Sequence, residues 1–558
     1  MFRKTDTTEQ FDLFTCPSNV MGKRAVKKYT DPHTWHNQFF KLVTSRINEE
    51  PFRVLFPEGE KDGRPNAPIR VLVAMSVLKE GFGCSDESLF ERCEFDMLVR
   101  KALGLGNLDD ELPSLDTWYL LRRRICEYDI KNGTDLMHEC FEQVTGDQVR
   151  LLNISGRNVR MDSKLIGSNI AKQTRYTLVH RTMVLFLRHN SLARLPKRMI
   201  ATAECYMSED PQKTVYRSDS SSLAQGLVQM GQFIRSLLKR YEPESQHYAL
   251  LKRLFDEQYD VIDGNATPKD KNDITGSSLQ SPYDPDATYR NKGDQQVSGM
   301  VTNITETVEQ DKPSLIVSAQ VETATTADCH MFQQGIENSE RVTGDTVENA
   351  YTDGAYQSPE NRDYCEGHNG MQLKTCKMQG ARSRWELTLR DDGNLDVVDR
   401  ATGQTLIAIK AVSKKGGKVR WRIPWEQSRT GWRYFEQKEL KAAELRRQIE
   451  SLPLEEQHKR NNVEAAMFQY SFHTRNGKTR YRGLAKHRMH AYCRCMWMNM
   501  RRIMIFQSKT CQRAIGAAKN AIYAVLGAAG EAWNGFRTRL SPRNRNPIFS
   551  YEHLRMAV

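Results

Sequence analysis

Three acidic side chains stand where an oxygen-ligand site for a divalent cation could be built. Asp162 lies within a short apolar alternation, Asp353 directly precedes Gly354, and Glu464 follows His458-Lys459-Arg460-Asn461-Asn462-Val463 in a stretch with helical patterning. Carboxylates are the donors that hard cations such as Mg²⁺ take, and two such ions about 3.5 to 4 Å apart clamp the attacking and leaving oxygens of a phosphoryl transfer. Two Asp and one Glu suffice for that chemistry. Arg460 precedes Glu464 by four residues, so the two share a helix face. Each acid also has an ordinary reading among the 69 Asp and Glu of the chain. Asp353 can be a turn residue, Asp162 a buried acid satisfied by backbone donors, and Glu464 half of a helix-face pair worth about 0.2 to 0.5 kcal/mol. Spacing alone does not choose between these readings.

A second chemical feature follows the last acid. From Tyr470 to Ala514 the chain carries eleven Lys and Arg and no Asp or Glu. Such a run concentrates positive potential, and its direct use is phosphate neutralisation with counterion release. Tyr481, His487, Tyr492 and Trp497 interleave with the cations, as rings that stack on bases or pack inward. Met489, Tyr492, Met496, Met500 and Ile503 form an apolar stripe at helical spacing, so the expected arrangement is the stripe inward and the cations outward. Lys23-Arg24, Lys27-Lys28 and the tail residues Arg537, Arg539, Arg543 and Arg545 are less specific: DNA contacts or solvated ends.

The elements that must position these groups follow from periodicity. Residues 1–150 read as a helical module. Pro68 precedes the helical face Ile69, Leu72, Val73, Ser76 and Val77, a turn is expected at Gly81 to Gly83, and Ser85 and either Ser114 or Asp116 are cap residues. Helices joined by short turns fit a helix-turn-helix, and they equally fit plain helical packing with Arg122, Arg123 and Arg124 on a solvated face. From about Leu151 an α/β pattern begins, with strands expected over Asn158 to Ile166, within Ala287 to Val308, over Leu315 to Val321 and over Thr346 to Thr352. A helical and loop insertion is expected at about 185–280. Ser358-Pro359-Glu360 spells a helix start immediately after Asp353. Residues 365–456 read as a β-rich insertion: strands around Trp385 to Leu389, Leu395 to Val397, Leu406 to Ile409 and Val419 to Ile423, a Lys414 to Gly417 turn, and a returning helix Glu436 to Glu450 stopped by Pro453. Residues 457–510 hold the last acid and the basic segment, and 511–558 a tail.

Composition sets the limits. The 558 residues carry 82 Lys and Arg against 69 Asp and Glu, a formal charge of +13, with 39% hydrophobic residues, enough for several packed cores. No stretch has the roughly 18 uninterrupted apolar residues a spanning helix needs. The first ten residues lack the apolar core of a secretory signal, so a cytoplasmic protein is expected. Twelve cysteines without a Cys-x-x-Cys pair predict reduced thiols rather than a disulfide framework or a zinc ribbon.

Three segments carry a family resemblance. Val159-Arg160-Met161-Asp162-Ser163-Lys164-Leu165-Ile166, Thr352-Asp353-Gly354-Ala355-Tyr356-Gln357-Ser358-Pro359-Glu360-Asn361 and Lys459-Arg460-Asn461-Asn462-Val463-Glu464-Ala465 resemble, in order, the acidic motifs of bacterial insertion-sequence transposases of the DDE class. The resemblance implies an α/β fold: an RNase H-like mixed sheet flanked by helices, with an N-terminal all-helical domain and a β-rich insertion. It further implies Mg²⁺, or Mn²⁺, on Asp162, Asp353 and Glu464, with Arg460 beside the scissile phosphate. Lys478, Arg480, Arg482, Lys486 and His487 are the expected DNA contacts, element ends and target DNA the expected partners, and a homodimer the expected working form, nucleoid-associated when on DNA. Some relatives place a Tyr and a Lys around the final Glu; here Gln457 and Ser471 stand at those positions. A metal-dependent nuclease without strand transfer and a catalytically silent DNA-binding protein derived from a transposase are the alternatives.

Overall fold

The strand β1, Asn158–Gly167, organises the molecule because its side chains alternate in kind. Val159 and Met161 are buried in a cluster with Phe332 and Ile336, while Arg160, Asp162 and Lys164 fall on the opposite face. The computed structural model describes residues 2, 4, 14–56, 66–293, 295–378, 382–412 and 419–528, with Asn461 and 514–528 described by their backbone alone. The turn expected at Lys414 to Gly417 and the tail cations Arg537, Arg539, Arg543 and Arg545 lie outside the described residues.

After β1 the chain forms a hairpin, β2 (Tyr259–Ile262) and β3 (Asn265–Pro268), and then the strands β4 (Thr288–Lys292), β5 (Gln295–Thr307), β6 (Ile316–Thr323), β7 (Asn349–Asp353) and β8 (Gln372–Lys377). β5 runs antiparallel to β1, with Asp162 opposite Ile304 and Gly167 opposite Gly299. β4 and β6 share the far edge of β5, both antiparallel to it. On the other side of β1, β7 pairs in parallel, and β8 pairs in parallel with β7. Parallel neighbours need crossovers, supplied by the helices Phe332–Thr343 and Pro359–Gly367. Ser358 caps the second of these through Asn361 N–H, as its Ser-Pro-Glu start predicts.

The N-terminal residues are all helical. Ile69–Phe82 begins after Pro68 and ends at Gly83, whose φ of 64° is the left-handed conformation glycine tolerates. The turn is thus narrower than the sequence suggests, and Gly81 lies inside the helix, where a Cβ would overlap the Trp497 indole. Ser85 and Ser114 cap the helices Asp86–Phe95 and Leu115–Asn132. These helices do not enclose a separate core: Leu72, Val77, Trp118 and Phe141 belong to one buried cluster with Met489, Met496, Met500 and Ile503 of the long helix Leu484–Ala528, and with Met300 and Ile304 of β5. Module, sheet and C-terminal helix therefore share one apolar interior.

Two insertions have interiors of their own. Helices Arg175–His189, Lys197–Ser208, Ser220–Leu238 and Gln246–Gln258 pack around Val179, Met183, Met230, Ile234 and Leu254, and the β2–β3 hairpin falls within the stretch expected as helix and loop. The second insertion is an antiparallel meander of β9 (Trp385–Leu389), β10 (Leu395–Asp399), β11 (Thr405–Val412), β12 (Val419–Pro424) and β13 (Trp432–Glu436), packed around Leu387, Leu395, Val397, Ile423 and Phe435. The helix Gln437–Ser451 leads back, opened by a reciprocal Glu436/Glu439 capping box. β8, expected with this insertion, instead extends the main sheet. All twelve cysteines are free. Among the described residues no helix is long and apolar enough to cross a membrane.

Candidate active site

Asp162 projects from the middle of β1, and Asp353 is the last residue of the neighbouring parallel strand β7, where its Oδ1 accepts the Ala355 N–H at 2.9 Å. Glu464 sits in the first turn of Asn461–Ser471, a position the helix dipole favours for an acid. Arg460, at the N-cap of that helix, is 4% exposed and reaches all three. Its Nη2 lies 3.3 Å from Asp162 Oδ1 and 3.7 Å from Asp353 Oδ2, and its Nη1 lies 3.2 Å from Glu464 Oε1. The three acids and the arginine, separated by up to 302 residues in sequence, thus meet at one guanidinium.

The electrostatics differ from acid to acid. Burial pushes the Asp162 carboxyl up to about 6; Arg460 opposes that rise, and the nearby charge of Asp353 adds to it. Glu464 is half-exposed and held below the usual carboxylate range, chiefly by a hydrogen bond from Lys377, whose Nζ lies 3.1 Å from Glu464 Oε1. Tyr356, fully buried, donates to Asn303 Oδ1 at 2.7 Å; burial and the charges of Asp162, Asp328 and Asp353 push its hydroxyl well above its ordinary value. It is a neutral donor beneath the acids.

Carboxylate oxygens of this kind suit a hard divalent cation. Among the described residues, however, no three His, Cys, Asp or Glu side chains are arranged to hold one. Arg460 lies between the carboxylates, and Glu464 is turned toward Lys377. The donor chemistry fits the ion, and Asp162 and Asp353 already share one cation; completing the set with Glu464 requires Arg460 and Lys377 to give way.

At the two positions where the sequence departs from the resembling pattern, the structure shows other partners. Gln457 is turned away from the acids, donating to Ile449 O and Leu452 O at 3.0 and 2.8 Å at the end of the preceding helix. Ser471 accepts a 2.6 Å bond from Lys164 Nζ. Lys164 stands two residues beyond Asp162 on the same strand face, half-buried, and forms no ion pair among the described residues. Lys164, Lys377 and Tyr356 were missed as site residues. The strand period was a signal for Lys164; nothing local marked Lys377.

Of the residues expected at DNA, Lys478, Arg480, Arg482 and Lys486 are exposed. The loop that carries the first three is tied to the end of β1: Gly167 N donates to Gly477 O at 2.8 Å, and Thr479 N donates to Gly167 O at 2.9 Å. Arg482 Nε donates to Asn169 O at 2.7 Å, and the Arg480 guanidinium to Gly83 O at 2.8 Å and to Cys84 O. Carbonyl partners orient these guanidiniums without neutralising them. His487 corrects the expectation: it is 2% exposed, and burial pushes its imidazole down to about 4, so it is a neutral interior group. Arg494 is also interior, donating to Glu80 O and Gln469 O, because the helix is buried on all sides from Met489 to Met500.

A family model described as Transposase domain (DUF772) matches residues 27–124, the helical module whose core the C-terminal helix completes. The match supports a transposase. No curated protein and no solved structure matches the chain.

Proposed function

We propose that the protein is a DNA transposase of the DDE class, cleaving at the ends of an insertion sequence and joining them to target DNA. The observation that carries this reading is the meeting of Asp162, Asp353 and Glu464 around one cation from two adjacent parallel strands and a helix. The mixed sheet flanked by helices, with the first two acids side by side on it, supports an RNase H-like catalytic domain. Asp162, Asp353 and Glu464 would hold Mg²⁺ or Mn²⁺. When bound, such ions lower the pKa of water and stabilise charge on the attacking and leaving oxygens.

The chain's own groups have separate tasks. Arg460, released from the acids, pairs with the phosphate to be cut, as a guanidinium pairs with any oxyanion. Tyr356 keeps its proton and holds the floor of the site, while Lys478, Arg480, Arg482 and Lys486 seat the flanking backbone. The helix Asn461–Ser471 sets the orientation of Arg460 and Glu464 together, so one element positions both cation and acid. Two ends must be joined in one event, so a homodimer on DNA is the working form, with the cytoplasmic nucleoid as its location.

The test is cleavage of end-bearing DNA by the purified protein with and without Mg²⁺, followed by strand transfer with precut ends. Cleavage that requires metal and disappears in Asp162→Asn and Asp353→Asn is the expected result; variants that cleave like the parent sink the assignment. Cutting without joining identifies a nuclease. A silent DNA-binding protein is favoured by one observation, the seating of Arg460 among the acids, and predicts end binding with no cleavage under any metal.

A further inference from the structure

Past the end of β1 the chain leaves the sheet through Ser168, Asn169 and Ile170 toward the helix Arg175–His189. There it meets two other segments around a cavity of about 320 Å³, lined among others by Ile170, Gln173, Arg181, Ser281, Tyr283 and Arg482. The walls are pinned. Ser168 Oγ donates to the fully buried Asp284, and Asn169 N donates to Tyr481 O at 2.9 Å. Lys478 Nζ donates to Ile170 O at 2.7 Å, and Gln173 Nε2 to Ser281 Oγ at 3.4 Å. The cavity is therefore held open by a frame rather than by one mobile loop.

The groups that line it are unusually free. Tyr283 is 50% exposed, and its hydroxyl has no partner among the described residues. The Arg181 side chain makes no hydrogen bond or ion pair among the described residues. The Arg482 guanidinium lies 5.9 Å from the Tyr283 ring centroid, and no carboxylate lines the space. An open aromatic face, two cations without counter-charge and an apolar wall at Ile170 are complementary to a flat heterocycle bearing a phosphate. The volume is at the low end for a small-molecule site and cannot admit a base pair in a duplex.

We propose that this cavity receives one unpaired nucleotide of a DNA strand, its base on Tyr283 and its phosphate on Arg181 and Arg482. The inference rests on the DNA-handling reading above and specifies that DNA as carrying an unpaired nucleotide. A base leaves the stack most cheaply where it is already unpaired, so a single-stranded extension or a distorted end is the substrate feature the cavity selects. A free mononucleotide shares this chemistry without the flanking backbone, which the exposed Lys478, Arg480 and Lys486 would then have no reason to attend.

The test uses the full chain in EDTA, so that no cleavage occurs, and measures fluorescence anisotropy with a blunt duplex, the same duplex bearing a short single-stranded extension, and deoxyadenosine monophosphate as competitor. The parent should bind the extended duplex roughly 5-fold to 100-fold more tightly than the blunt one, the range one stacked base supplies. Tyr283→Ala and Arg181→Ala should remove that preference while leaving blunt-duplex affinity unchanged, and Tyr283→Phe should keep it. Equal affinity for both duplexes in the parent, or a preference that survives Tyr283→Ala and Arg181→Ala, overturns the proposal. Displacement of the extended duplex by the mononucleotide at equal concentration also overturns it, assigning the cavity to a free nucleotide. Because metal plays no part in the measurement, the cavity and the cleavage reading fail separately: loss of overhang preference leaves metal-dependent cleavage standing, and absence of cleavage leaves the preference intact.

Discussion

Replacing Glu80 by Gln tests the interior network that ties the N-terminal module to the basic loop. Glu80 is buried; it accepts from His490 Nδ1 at 2.7 Å and from the Tyr481 hydroxyl, while Arg494 donates to its backbone carbonyl. Burial alone would raise its pKa, but the charge and hydrogen bond of His490, with Lys79 and Tyr481, outweigh burial and hold the carboxyl down to about 2. That depression corresponds to roughly 3 kcal/mol of stability at neutral pH, in line with the 3 to 5 kcal/mol cost of breaking a buried ion pair. A carboxyl held below its unfolded value contributes fully above the unfolded pKa and loses its contribution as pH falls through the folded one. Glu80→Gln should therefore cost about 3 kcal/mol at pH 7, narrowing to about 2 kcal/mol at pH 3.5. Guanidinium unfolding followed by tryptophan fluorescence reads both values. Tyr481 anchors the loop of Lys478, Arg480 and Arg482, so trypsin should also cut there faster in the variant. A cost under about 1 kcal/mol at pH 7, or a gap that does not narrow on acidification, refutes the account.

Three further outcomes follow from the same geometry. Asp162 is raised to about 6, so its charged form opposes folding increasingly as pH rises from its unfolded value to that one; Asp162→Asn should stabilise the metal-free protein by about 3 kcal/mol at pH 8 and by only about 0.5 kcal/mol at pH 4, read by chemical denaturation. Gly299→Ala places a Cβ against Ile166 O and Ser168 N, both backbone atoms, where β5 crosses the end of β1; the melting temperature should fall by many degrees or the protein should fail to fold. His487→Ala and Lys486→Ala should separate interior from surface: the first lowers stability by about 2 kcal/mol and leaves the salt dependence of DNA binding unchanged, whereas the second leaves stability alone and reduces the log–log salt slope by about 1.

Much of the local structure was legible because its signals are local. Ser85, Ser114 and Ser358 mark helix starts through satisfied N–H groups, Pro68 marks one through its fixed φ, and all four helices begin there. The strand bearing Asp162 shows the period-2 alternation of a sheet with two unlike faces, whereas that of Asp353 is buried from Ala350 onward. β8 and β13 gave no such signal: in Gln372–Lys377 only Thr375 is buried, and in Trp432–Glu436 only Phe435. Their places are fixed by partners already in the sheet. The candidate site was legible as four residues but not as an arrangement. Nothing near Glu464 announces Lys377, 87 residues earlier, and nothing near Tyr481 announces Glu80, 401 residues earlier.

The acid-free run after Tyr470 illustrates the same limit and what survives it. Acids from distant segments neutralise part of its helical half: Arg488 pairs with Asp129 and Glu322, and Arg502 with Glu306. The loop keeps its charge, since Arg480 and Arg482 bond only to carbonyls, and Lys486 in the first turn of the helix is exposed. The available potential that sits on the sheet therefore lies at the end of β1, where the loop bridges to Gly167. From Gly167 back to Asp162 is five strand residues, about 17 Å, which on B-form DNA is about five base pairs, half a helical turn. Phosphates about five positions from the cut should accordingly matter most for binding. Ethylation or methylphosphonate substitution there should weaken binding of the parent, and lose that effect in Arg480→Ala with Arg482→Ala. Interference confined to the scissile phosphate, or spread evenly along the duplex, would place the DNA elsewhere on the surface.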